Sequence, residues 1–76
     1  MIINQKFQSM SIVKIIEVLA TSPNSFDEAT RNAVKEASKT VKNIKSVYVK
    51  EMKARVENNE ITSYAVNAKI SFEVNG

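Results

Sequence analysis

Alternating and periodic apolar positions divide this chain into three strands and one helix. The first strand is predicted over residues 12–20, where β-branched side chains dominate. Its apolar side chains point to both sides of the strand: Val13, Ile15 and Leu19 to one side, and Ile12, Ile16 and Val18 to the other. Because one helix covers only one side of a strand, the pattern predicts that something else covers the second side.

A helix is predicted to begin after the turn cluster of residues 21–24. Ser25 and Glu28 have the spacing of a capping box, with Ser25 as the N-cap. The apolar positions that follow recur at steps of three and four along one face: Phe26, Ala29, Ala33, Val34, Ala37, Val41 and Ile44. We expect this face of about eighteen residues to pack on the sheet, and its alanines favour a close approach.

Two more strands are predicted, over residues 46–57 and from residue 60 or 61 to residue 74. Asn58 and Asn59 join them, and asparagine tolerates the left-handed backbone of a tight hairpin turn. The third strand is antiparallel to both others if the helix returns the chain between the first two, so it lies in the middle. The predicted fold class is α+β, with β-α-β-β order, one helix on a three-stranded antiparallel sheet and strand order 1-3-2.

The length of 76 residues allows one small core, and the composition limits how that core is stabilised. The chain has no cysteine and no histidine, which excludes disulfides, thiolate metal sites and the commonest zinc ligand. Oligomerisation remains, and the predicted hairpin overhangs its helix. We expect residues 1–10 to be an amino-terminal arm or alternative start, because Met10 begins a new Met-Ser pair, and residues 11–76 to be the domain.

The net charge of +3 does not indicate a nucleic-acid protein. The eleven basic residues are interleaved with eight acidic ones, without a basic and aromatic stripe. No apolar run is long enough for a signal peptide or a membrane span, so we expect a cytoplasmic protein without a membrane partner.

The titratable residues do not form a catalytic arrangement, and the sequence predicts that the protein is not an enzyme. Its carboxylates are dispersed along the chain. Glu17 is notable because it interrupts the apolar first strand and needs a partner, for which Lys14 or a lysine of a neighbouring subunit is expected. A carboxylate repeated around a symmetry axis is also a candidate ligand for calcium.

From residue 11 to residue 74 the sequence resembles the dodecins. The resemblance is carried by three segments: SIVKIIEVLATSPNSFDEA, NAVKEASKTVKNIKSVYVKEM and ITSYAVNAKISFEV. It implies a hollow homododecamer that stores or sequesters a small ligand, with flavin (riboflavin or FMN) as the default cargo and coenzyme A in some members.

The resemblance also assigns candidate ligand positions, at which several family side chains are replaced. Ser46 stands where flavin-binding members have a stacking tryptophan, and Ala65 stands where they have a glutamine that bonds the ring edge. Lys53 replaces a phosphate-binding arginine of several bacterial members, and Lys45 replaces an acidic residue of some relatives. Tyr48 is a candidate stacking residue, although packing in a subunit interface is the reading we favour for it.

Two functions follow from this sequence as hypotheses. The first is a dodecin-like binding shell for a planar or phosphorylated ligand. The alternative is a structural or calcium-binding assembly, similar to tryptophan-lacking members of the family, in which the flavin site has closed around Ser46, Ala65 and Tyr48.

Overall fold

The computed structural model describes residues 11–75 and contains one helix and three strands in the predicted order. Strand β1 spans Ser11–Ser22, helix α1 spans Phe26–Ala37, strand β2 spans Ile44–Glu57 and strand β3 spans Glu60–Asn75. The strands extend slightly beyond their predicted bounds. The predicted arm, residues 1–10, lies outside the described residues.

The three strands form one antiparallel sheet in the order β1-β3-β2, which confirms the predicted topology. A turn at Asn58 and Asn59 joins β2 to β3, and both residues have positive φ angles, 53° and 66°. Asparagine adopts this conformation more readily than most residues, which is why these two form the tight turn that the sequence predicted.

Helix α1 begins as predicted at Ser25, whose side chain accepts the backbone N–H of Glu28 at 2.9 Å. In a complete capping box the Glu28 side chain would also accept the backbone N–H of Ser25, but here it accepts two side-chain donors instead. The hydroxyl of Ser22 donates to Glu28 Oε1 at 2.5 Å, and Asn24 Nδ2 donates to the same atom at 2.6 Å. The Ser22 hydroxyl in turn accepts the backbone N–H groups of Asn24 and Ser25. The turn before the helix is therefore held by Ser22 as well as by the N-cap.

The prediction that the helix continues to Ile44 was wrong, because α1 ends at Ala37. The hydroxyl of Ser38 donates to the carbonyl of Lys35 at 2.7 Å, and the next residues form a turn. Asn43 then has a φ of 61°, which a right-handed helix does not allow. Val41 and Ile44 still pack on the core, so their helix-like spacing reflects the return of the chain to the sheet.

The core lies between α1 and the centre of β3. Ala33, Ala37, Ala68 and Ile70 form its buried cluster, and the small alanines bring the helix backbone close to the sheet. Ile16, Val18 and Ala20 of β1 pack against this cluster from the side. At the start of the helix, Phe26 meets Tyr64 edge to face, with ring centroids 5.0 Å apart. Tyr64 therefore lies on the side of β3 that faces the helix.

The sheet is much longer than the helix that covers it. The molecule measures 63 × 20 × 14 Å. The twelve residues of α1 span about 18 Å, whereas the fourteen residues of β2 span about 46 Å. The hairpin of β2 and β3 therefore projects beyond the helix, and the sheet face opposite α1 is left without a covering element in the described chain.

Candidate functional site

The candidate site lies on the sheet face opposite α1, which we call the open face. Val66, Ala68 and Ile70 of β3 are buried beneath the helix, so the alternating residues of β3 point the other way. These open-face residues of β3 are Ala65, Asn67, Lys69, Ser71 and Glu73. The neighbouring strands add side chains to the same face in register with them.

The structure places the five predicted ligand positions on or beside this face in two separate groups. Ser46 pairs with Ser71, and their hydroxyls are 2.5 Å apart. Tyr48 pairs with Lys69 and is 65% exposed. Lys45 lies beside the same end of the sheet, where its Nζ atom is 3.7 Å from a carboxylate oxygen of Glu73. Ser46, Tyr48 and Lys45 therefore form the first group, which is already partly engaged in contacts within the chain.

The second group lies closer to the hairpin turn, where Lys53 pairs with Ala65. From Ala65 to Ser71, the partner of Ser46, β3 advances about 20 Å. One chain therefore does not bring Ser46 and Ala65 together.

An open cleft of about 900 Å³ surrounds the second group. Leu19 and Thr21 of β1 line one side, and residues of the hairpin line the other. Lys53 and Arg55 both line the cleft. The Nη1 atom of Arg55 is 3.9 Å from Oε2 of Glu57. Among residues 11–75, Lys53 takes part in none of the ion pairs, so its ammonium group is available to an anion.

Glu17 has a partner within its own chain. Lys50 Nζ donates to Glu17 Oε2 at 3.3 Å, so the expectation that Lys14 is the partner was wrong, and an additional lysine from a neighbouring subunit stays a prediction. The hydrogen bond and charge of Lys50 lower the pKa of Glu17, with smaller contributions from Asn67 and Lys69. This contact depends on a bulge at Lys50, since Val49 pairs with Ala68 and Glu51 with Asn67. No residue type at or beside Lys50 indicates a bulge in advance.

The side chains of β1 that belong to the open face, which we call the outer side of β1, are exposed, as the two-sided apolar pattern of this strand predicted. Val13, Ile15 and Leu19 are 59%, 62% and 74% exposed. On the hairpin, Met52, Val56 and Ile61 are also more than half exposed. Apolar exposure on this scale in so small a domain is typical of an interaction surface.

The described residues contain no cluster of three or more metal-binding side chains of the His, Cys, Asp or Glu types. A calcium site built only from such a cluster within one described chain is therefore not present. Within the same residues, no helix has the length and hydropathy needed to span a membrane.

Known proteins resemble this chain in both sequence and structure. The dodecin family profile matches residues 12–75. A protein of Mycobacterium tuberculosis named calcium dodecin is 31% identical over 65 residues, covering 86% of this chain and 92% of its own length. The solved structure of calcium dodecin from that organism, described as having a novel calcium-binding site, superposes with a TM-score of 0.71 at 29% identity and covers 84% of this chain and 91% of its own.

A second solved dodecin structure, from another organism, is also similar. The structure of dodecin from Streptomyces coelicolor superposes with a TM-score of 0.82 at 29% identity, covering 90% of this chain and 97% of its own. The order and pairing of the strands, the match over residues 12–75 and these similarities agree. The chain belongs to the dodecin family.

Proposed function

We propose that this protein is a self-assembling binding protein, a homododecamer that holds a small ligand between its copies and has no catalytic role. The observation that carries the proposal is the exposure of the outer side of β1, where Val13, Ile15 and Leu19 face solvent in a single chain. Apolar strands without a cover are a hazard for a soluble monomer, and association with further copies removes them from water.

The amount of exposed apolar surface agrees with an interface of ordinary size. Burying a large aliphatic side chain removes roughly 60–120 Å² from water. In the part of the chain that the structure describes, eight large hydrophobic residues are exposed, each to 49–74%. Together they offer roughly 300–600 Å² per copy by the same ratio. A stable interface buries about 800 Å² per partner, a little over half of it apolar.

Flavin is the first ligand we propose, as FMN or riboflavin, with coenzyme A as a related phosphorylated ligand. Tyr48 is exposed on the open face and offers a ring for stacking, and Lys53 and Arg55 offer positive charge to a phosphate group. Ser46 and Ala65 lack the family's stacking ring and amide. Two losses of about 1 kcal/mol or more each weaken flavin binding by about thirtyfold or more.

Titration with FMN and with riboflavin, followed by flavin fluorescence, tests this ligand. We expect Tyr48→Ala to weaken both complexes, because both flavins share the ring. We expect Lys53→Gln to weaken FMN binding severalfold and to leave riboflavin unchanged, because only FMN carries the phosphate. Lys42→Gln, in the loop between α1 and β2, is the matched control. Flavin emission that does not change at high protein concentration would remove flavin from the account.

Calcium is the second candidate, and the similarity to calcium dodecin favours it. In this version carboxylates from several copies meet at a symmetry axis, and Glu17 and Glu51 of the open face are the candidates. We expect calcium, but neither magnesium nor flavin, to raise the melting temperature, and we expect Glu51→Gln to reduce the effect. Equal stabilisation by both metals, or by neither, would contradict this version.

A further inference from the structure

A groove lies on the helix side of the sheet, past the end of α1, and is separate from the open face. The described residues that line it come from segment 40–43, between α1 and β2, and from residues 72–74 of β3. None of these lining residues belongs to α1, which ends at Ala37. The groove encloses about 400 Å³, and we call it the end groove.

The floor of the end groove is apolar. Phe72 and Val74 follow the alternation of the buried Ile70, so their side chains point to the helix side of the sheet. Ile12 of β1 pairs with Val74 on that side and is 49% exposed. Val41 contributes an apolar side chain from the opposite wall. An apolar chain that lies in the groove therefore leaves water and covers exposed apolar surface.

The wall formed by segment 40–43 is attached to β3 by hydrogen bonds. The backbone N–H of Glu73 donates to the carbonyl of Asn43 at 3.0 Å, and Nδ2 of Asn43 donates to the carbonyl of Glu73 at 3.5 Å. The carboxylate of Glu73 belongs to the open face, where one of its oxygens is 3.7 Å from Lys45 Nζ. The groove is therefore formed in the free chain, and the carboxylate of this lining residue points away from it.

Two lysines flank the end groove. Lys42 lines it, and Lys14 pairs with Phe72 on the helix side of the sheet, which places their β-carbons about 5 Å apart. Both lysines are exposed. Among residues 11–75, neither takes part in an ion pair. The groove therefore combines an apolar floor with two positive charges at its rim that are available to an anion.

We propose that the end groove binds an aliphatic carboxylate of medium chain length. The chain lies on Phe72 and Val74, and the carboxylate lies between Lys14 and Lys42. This site goes beyond the function proposed above, because neither the flavin site nor the calcium site of the open face uses these residues. The apolar floor accounts for the chain, and two lysine point charges without an arginine fork suit a compact anionic head. A volume of about 400 Å³ is near the lower end of the range for ligand pockets and suits a small ligand.

Isothermal titration calorimetry with decanoate, below the concentration at which it forms micelles, tests this site. We expect one decanoate per chain, and we expect Lys14→Gln and Lys42→Gln each to weaken binding by about threefold. Lys35→Gln, on the outer surface of α1, removes the same charge and should leave the affinity unchanged. Decanamide, which is uncharged, and hexanoate, whose chain is shorter, should each bind about tenfold more weakly or worse.

The result is independent of the flavin titration. Lys53→Gln should leave decanoate binding unchanged, just as Lys42→Gln should leave FMN binding unchanged. A groove already covered by a neighbouring copy or by residues 1–10 would leave decanoate without a site, so an absence of binding would overturn the proposal. Equal effects of Lys35→Gln and Lys42→Gln, or equal affinity for decanoate and decanamide, would overturn it as well. In each of these cases the function proposed above would stand or fall by its own titrations.

Discussion

At the residue scale, Ser22 connects the end of β1 to the start of α1. It is 2% exposed, and its hydroxyl accepts two backbone N–H groups while donating to Glu28. These N–H groups lie in the turn where neither strand nor helix supplies partners, so the serine hydroxyl takes their place. A polar residue at a buried position thus fixes the direction in which the helix leaves the sheet.

Removing this hydroxyl should destabilise the fold more than most serine substitutions. We expect Ser22→Ala to lower the free energy of unfolding by about 1–3 kcal/mol, because two partly buried N–H groups and the Glu28 carboxylate lose a partner. Urea denaturation at fixed protein concentration measures the change. The control is Ser63→Ala, on the open face, which should fall within about 0.5 kcal/mol of the parent. Equal effects of the two substitutions would contradict the role given to Ser22.

Glu28 makes the same network depend on pH. Hydrogen bonds from Ser22 and then from Asn24 lower its pKa from the ordinary value of 4.5. A lowered pKa in the folded state stabilises the protein fully above 4.5, and this stabilisation is lost as pH falls through the lowered value. Glu17, whose pKa is lowered by Lys50, acts in the same direction.

We therefore expect Glu28→Gln to flatten the loss of stability in acid. The variant should be less stable than the parent near neutral pH, and the difference should shrink below the ordinary glutamate pKa, where the parent's carboxylate is protonated as well. Urea midpoints across this range measure it, with Glu36→Gln on the outer surface of α1 as the control. A difference between Glu28→Gln and the parent that stays constant down to the most acidic pH would contradict the assignment.

At the scale of elements, the hairpin turn decides how β2 and β3 pair. Asn59 has a φ of 66°, in the left-handed region, where a β-carbon is unfavourable and a branched one more so. We expect Asn59→Val to destabilise the protein by about 1–2 kcal/mol and Asn59→Gly to be neutral or slightly stabilising. Thermal denaturation of both variants at one concentration tests the order. A valine variant as stable as the glycine variant would mean that the turn is not formed this way.

The sequence was informative about elements where local chemistry decides the structure. The Asn58-Asn59 turn and the N-cap at Ser25 are local signals, and both were confirmed. The end of the helix was not predicted, because Val41 and Ile44 kept a helical spacing while packing on the core from a turn and a strand. Apolar spacing reports which side of the chain is buried and does not report whether the backbone is still helical.

The candidate site was predictable only in part, for a different physical reason. The bulge at Lys50 shifts β2 by one residue against β3, and no residue type in the sequence marks it. Lys50 was therefore not expected as the partner of Glu17. The separation of about 20 Å between Ser46 and Ala65 along the sheet depends on the register of β2 against β3. A family resemblance names equivalent positions but does not give the distance between them.

At the scale of the whole molecule, the single helix of the described chain covers only one of the two faces of the sheet. Folding of a single copy buries a small alanine-rich core and leaves the outer side of β1 and the hairpin in water. The stability of such a chain depends on protein concentration if neighbours supply the missing contacts, because association favours the folded form by mass action. Self-assembly is therefore the central claim, and the flavin and calcium proposals depend on it.

Native mass spectrometry of the purified protein at micromolar concentration tests that claim most directly, since it counts the copies and weighs any ligand that stays bound. The account predicts a closed assembly of twelve copies and no folded monomer in appreciable amount. A folded, stable monomer at that concentration, with the outer side of β1 left in water, would contradict it.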